Sequence, residues 1–175
     1  MKLIKKICAA FVVMSTLLAS TSVSAYAALP VEKLSVSKTA NHIILIVGHK
    51  NNKNKVTVND YTKSSDGKWT KNWYVNGIAG TNGISTQKSE GDKKTPEGVF
   101  NAMFAFGLKD NPGSLLEYRK IGDGDYWVDD SNSAYYNTWV NTSKVKKDWA
   151  SAEDLKAAYP FYNYALALNY NTEAV

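Results

Sequence analysis

Cysteine is almost missing from this sequence: among 175 residues there is one, Cys8. It stands at the head of an apolar stretch that is expected to be removed. The remaining chain then offers no disulfide, no thiolate nucleophile and no cysteine metal site, and must be held by packing alone. Histidine is nearly as scarce. His42 and His49 are the only two, and with no third ligand in register they make a poor zinc pattern. The sequence places His42 at the edge of a strand and His49 in a turn. There is no G-x-S-x-G elbow, no P-loop and no H-E-x-x-H pair, so the common marks of α/β-hydrolases, nucleotide-binding loops and zincins are missing. No cofactor is implied. Charge of one sign is lacking too. There are 21 Lys+Arg against 16 Asp+Glu; with Lys2, Lys5 and Lys6 in the leading segment, the remainder holds 18 against 16, a net charge of +2. That is too little to argue for nucleic acid. The densest basic group, Lys144, Lys146 and Lys147, reads as a solvated face.

What is present begins with a leader. Lys2, Lys5 and Lys6 precede an apolar run over residues 7–18, which is followed by small polar residues and by Ala25-Tyr26-Ala27. This order predicts a secretory signal peptide over residues 1–27, cut after Ala27. The run is shorter than the roughly 20 residues of a membrane span, which disfavours an uncleaved anchor. The expected organisation is a signal peptide (1–27), a polar lead (28–40) and one domain (41–175), exported to the cell exterior or wall, with no stable membrane span once the leader is cut.

The domain is predicted to be mainly β. Residues 41–48 form a continuous apolar, β-branched run closed by Gly48, as in a strand buried on both faces. Residues 50–55 have turn composition, residues 55–61 alternate, and Asp66-Gly67 marks a hairpin leading to a return strand over 68–75. Residues 77–98 form a long Gly-rich loop. Residues 99–106, 119–121, 126–128 and 164–170 are further strand candidates. Ser151 as N-cap with Glu153 and Asp154 in the first turn predicts a short helix ending at Pro160. The last strand is apolar, with nothing after it to pair or cover it. Such an edge is usually avoided, so the domain is expected to continue beyond Val175.

Few residues offer chemistry by composition. Asp123, Asp125, Asp129 and Asp130 could supply a carboxylate pair for glycoside hydrolysis, but nothing in the sequence desolvates one of such a pair, and an exposed Asp-rich turn is the favoured reading. They lack the spacing of an EF-hand calcium loop. Trp69, Trp73, Trp127, Trp139 and Trp149 could stack on sugars, or fill the core. Asn141-Thr142-Ser143 is formally a glycosylation sequon.

One segment is more specific. Gly80-Thr81-Asn82-Gly83 leads into Glu90-Gly91-Asp92-Lys93-Lys94-Thr95-Pro96-Glu97-Gly98-Val99-Phe100. The form G-x-N-G followed by E-G-D-x-x-T-P-x-G-x-F resembles the L,D-transpeptidase catalytic domain of the YkuD type. Residues 43–48, the Tyr61 to Trp69 hairpin, Tyr126-Trp127-Val128-Asp129-Asp130, residues 133–137, Trp149 with Ser151-Ala152-Glu153, and residues 164–171 fit the same family in order. The resemblance implies a YkuD-like β-sandwich or mixed sheet with small helical elements. It also implies a cell-wall role on peptidoglycan stem peptides: a cysteine thiolate attacks the carbonyl after the third stem residue, releases the fourth, and passes the acyl group to an amine, with a histidine as base and an oxyanion site. The family's histidine and Ser/Thr–Gly–Cys segment have no counterpart here and are expected beyond Val175. No catalytic residue carries over, and His42 and His49 do not match the base. What carries over is the wall of the substrate cleft: Thr95, Pro96 and Gly98, with Tyr126 and Trp127. A non-catalytic wall-binding module and an unrelated glycan-active enzyme are the alternatives.

Overall fold

Two sets of residues are described in the computed structural model: 31–172, and the backbone of 9–14. The rest of the expected signal peptide, with Cys8 and the Ala25-Tyr26-Ala27 pattern, lies outside the described residues. The described chain is mainly β and contains no α-helix. It forms two compact units that divide at Asn101/Ala102.

The first unit is built on a hairpin pair. Strands β1 (Ala9–Met14), β2 (His42–His49), β3 (Asn52–Lys63) and β4 (Trp69–Ile78) lie in that order. β2 pairs antiparallel with β3, and β3 with β4. The β3–β4 turn is where the sequence put it: Gly67 takes φ +86°, and the Ser64 amide donates to the Lys68 carbonyl at 2.9 Å. β3 starts earlier than expected, and His49 closes β2 and does not sit in a turn. The "polar lead" is also partly core. Two 3₁₀ segments, η1 (Val31–Lys33) and η2 (Ser35–Lys38), bring Val31 and Ala40 against Ile43, Leu45 and Tyr61. Alternation in β2 therefore buries Ile43 and Leu45 on one face, while Ile44 and Ile46 are only half-buried, not buried on both faces as the apolar run suggested. Residues 9–14, expected as the apolar centre of the leader, are a strand: β1 runs parallel to β2 and antiparallel to the start of β7 (Gly98–Gly107). Phe11, Val12 and Val13 suit a strand as well as they suit a leader. Between β4 and β7 stand the two-residue strands β5 (Ile84–Ser85) and β6 (Thr95–Pro96), paired in parallel.

The second unit takes up β7 from Ala102 onward. β12 (Ala165–Leu168) lies antiparallel to it and β8 (Tyr118–Lys120) parallel. A separate three-stranded sheet has β9 (Asp125–Val128) between β10 (Trp139–Asn141) and β11 (Ala152–Asp154). Phe104, Phe106 and Ala167 from the first sheet share a core with Ile121 and Leu155, with Trp127 and Trp139 packed against it. The predicted helix after Ser151 is absent. Glu153 and Asp154 pair in β11 with Trp127 and Tyr126, and cross-strand pairing outweighs a weak helix start of a few residues. It is the Asp154 carboxylate that acts as a cap, accepting from the amides of Lys156 and Ala157 at 3.0 and 2.9 Å.

Candidate functional site

The Gly-rich loop of the first unit is built, not slack. Asp92 organises it: its carboxylate accepts from the amides of Ser89 and Lys94, both at 2.8 Å, and from the Lys88 ammonium at 3.0 Å. Burial works to raise the Asp92 carboxyl. The two amides and Lys88 outweigh it and bring the carboxyl down from 3.8 to about 2. Asn82 donates from Nδ2 to the Asp92 carbonyl at 2.8 Å. Thr95 closes the loop, its Oγ1 accepting from the Gly80 amide at 2.8 Å. Gly80 is packed so tightly that a Cβ there would stand 2.3 Å from the Lys93 carbonyl oxygen. At Gly98 a Cβ would meet the Phe100 ring at 2.8 Å. The residues that carry the motif are thus the ones that close this loop. Thr95, Pro96 and Gly98 stand together, at β6 and the first residue of β7.

Tyr126 and Trp127 lie in β9 of the second unit and, being consecutive in a strand, face opposite ways. Tyr126 packs with Val128, Val140 and Trp149. Trp127 lies stacked by Phe104, and its indole N–H donates to Asn137 Oδ1 at 3.1 Å. Trp127 also lines a pocket of about 290 Å³, formed with Phe106, Leu155, Tyr162 and β12. Burial, with the Glu153 carboxylate beside it, pushes the Tyr162 phenol above its ordinary value. None of the residues that line the pocket carries a charged side chain. Its residues beyond Trp127 were not singled out as a site by sequence; the segment 164–170 read only as an apolar strand.

Of the carboxylate run, Asp123, Asp125 and Asp130 are each tied to neighbouring groups, whereas Asp129 Oδ1 is buried without a hydrogen-bond partner among the described residues. Asp125 is buried and accepts from the Gly122 amide and from Asn141 Nδ2, both at 2.8 Å. Asp130 accepts from the amides of Asn132 and Ala150, which draw its carboxyl below the usual range. Asp123 pairs with Lys156 at the exposed surface. Among the described residues no cluster of three or more His, Cys, Asp or Glu could hold a metal ion. The sequon amide of Asn141 is likewise engaged, with Asp123 and Asp125. Of the tryptophans, Trp149 is buried and Trp73 is 46% exposed.

His42 has a partner that the sequence did not reveal. Its Nε2 lies 2.5 Å from Oδ1 of buried Asp60, whose Oδ2 accepts from Asn72 Nδ2 at 2.6 Å. This polar chain ties β2, β3 and β4 together. A carboxylate that orients an imidazole is half of a nucleophilic site, but among the described residues no hydroxyl is bonded to His42, so the chain holds the sheet.

No family model, curated protein or solved structure matches this chain. The fold and site define a mainly β chain with an ordered glycine-rich loop in one unit and an apolar, tryptophan-lined pocket in the other. Among the described residues no helix is long and apolar enough to cross a membrane.

Proposed function

We propose that this chain is an exported, peptidoglycan-directed domain of the L,D-transpeptidase type. The observation that supports the reading is the loop over residues 80–98. Gly80, Asn82, Asp92 and Thr95 of the motif each make a specific bond in it, and Gly80 and Gly98 stand where a Cβ would collide. A motif kept by chance has no reason to close on itself in this way. In the reading, the loop forms one wall of a cleft for stem peptides, with Thr95, Pro96 and Gly98 at its base. Trp127 supplies an apolar contact in its own unit. The only thiol is Cys8, in the leader, so these 175 residues hold substrate without forming an acyl-enzyme.

The test is cosedimentation of the purified chain with insoluble peptidoglycan, alongside an assay of acyl exchange on tetrapeptide stems. Binding that falls in Thr95→Ala, with no exchange in either protein, is the expected result. Failure to sediment would overturn the reading. Measurable exchange would overturn the assignment of a purely binding role.

A further inference from the structure

We infer that the position between β2 and β7 is a strand-acceptor site, shaped for an extended, uncharged apolar strand of another polypeptide, and that Ala9–Met14 occupies it only while the leader is attached. Two hydrogen-bonding edges face this position. β1 aligns with β2 in parallel from Ala9 opposite His42 to Met14 opposite Val47. On its other side it aligns antiparallel with β7, from Ala10 opposite Asn101 to Val13 opposite Gly98. Both edges lie in the first unit. Removing the leader at Ala27 removes β1 and leaves two rows of backbone donors and acceptors unpaired within a sheet, which is costly away from water.

The flanking residues specify the occupant. A ladder on both sides admits only an extended polypeptide backbone, the mode of strand addition. The positions on β2 that face it, from His42 to Val47, carry no Lys, Arg, Asp or Glu, and neither do Gly98, Val99, Phe100 and Asn101 on β7. Ile43 and Leu45 beside it are 0% and 1% exposed. On the β2 side a charged strand would set its charge against this buried apolar surface without a counter-ion, while Val99 on the β7 side is 53% exposed. Ala9-Ala10-Phe11-Val12-Val13-Met14, uncharged throughout, shows the composition that fits. The direction is also set. A strand parallel to β2 cannot be supplied by a tight turn from β2 and needs a long connection or a separate chain.

The inference rests on the leader reading and on no part of the cell-wall reading, so peptidoglycan binding can fail without touching it. To test it, the full chain is refolded with a specific protease site inserted after Ala27, then cut and stripped of its leader. Amide exchange is followed at residues 43–47 and 99–101. After the cut these amides should exchange at least about tenfold faster. A synthetic peptide spanning Ala9–Met14, with lysines added outside the strand for solubility, should restore protection; the same peptide with Val12→Lys should not. If the cut chain unfolds, the first peptide should refold it and the second should fail. In the uncut chain, Val12→Pro should mimic removal of the leader at the same amides. Unchanged protection after removal would mean that β2 and β7 close on each other, and would overturn the proposal. So would failure of the first peptide, or equal success of the lysine peptide.

Discussion

Single side chains decide the two cores and the loop. Asp92 has the clearest pH consequence. Its carboxyl is lowered in the folded chain from 3.8 to about 2, so its contribution to stability is fully present above its ordinary value and is lost as pH falls through the folded one. The melting temperature of the wild type should therefore drop between about pH 4 and pH 2, and Asp92→Asn should be less stable at pH 7 with a shallower drop in that window. Thermal melts at stepped pH check this; parallel curves for the two proteins would count against it. Tyr61 runs the other way. Its hydroxyl is buried with no hydrogen-bond partner, and burial, with the Glu32 charge, raises its ionisation. Removing an unsatisfied buried hydroxyl removes a desolvation penalty. Tyr61→Phe should be neutral or stabilising by about 1 kcal/mol in urea unfolding. Gly80 allows no such freedom. The Lys93 and Lys94 backbone lies within 3 Å of where a Cβ would sit, so Gly80→Ala should cost on the order of 2 kcal/mol and loosen the loop, read as faster exchange of the Asn82 and Thr95 amides.

At the scale of elements, much was legible because period and turn chemistry act locally. The β-branched run of β2, the alternation in β3 and the Asp66-Gly67 turn specify the meander without help from distant residues. The segment after Ser151 was misread for the complementary reason. Its capping signals are real, but Leu155 is 1% exposed and is held there by β11 on β9, a partner about 25 positions earlier that no local window includes. The 3₁₀ segments were missed because Val31 and Ala40 lack a period; only tertiary contact makes them core. In the loop, the motif drew attention to Thr95, Pro96 and Gly98, which fall in β6 and at the start of β7, whereas the opposite facing of Tyr126 and Trp127 follows from strand alternation. The His42–Asp60–Asn72 chain depends on β2–β3–β4 register and had no sequence signal. The turn after β11 now gives a testable statement. Asp154→Ala removes the acceptor of two amides and should destabilise by about 1 kcal/mol, as for loss of a cap, whereas Ser151→Ala should be silent. A helix at this position would reverse that order in denaturant titrations.

The chain divides at Asn101/Ala102 into two units, each with its own core. The thiol inventory links this organisation to function. Cys8 is the single sulfhydryl, it precedes β1, and neither the loop of the first unit nor the pocket of the second contains a cysteine among its residues. On the proposed reading, the contact with peptidoglycan is made without a thiol and should be blind to thiol reagents. Treating the chain with iodoacetamide before adding insoluble peptidoglycan should leave cosedimentation unchanged, and so should Cys8→Ser. Narrowing the pocket at its exposed lining residue with Leu166→Trp would report separately on the second unit. If stem peptides reach Trp127, binding should weaken severalfold while the β3–β4 sheet keeps its exchange protection. Alkylation that abolished binding would instead assign the contact to Cys8 and the leader, and would make the loop over residues 80–98 a structural element alone.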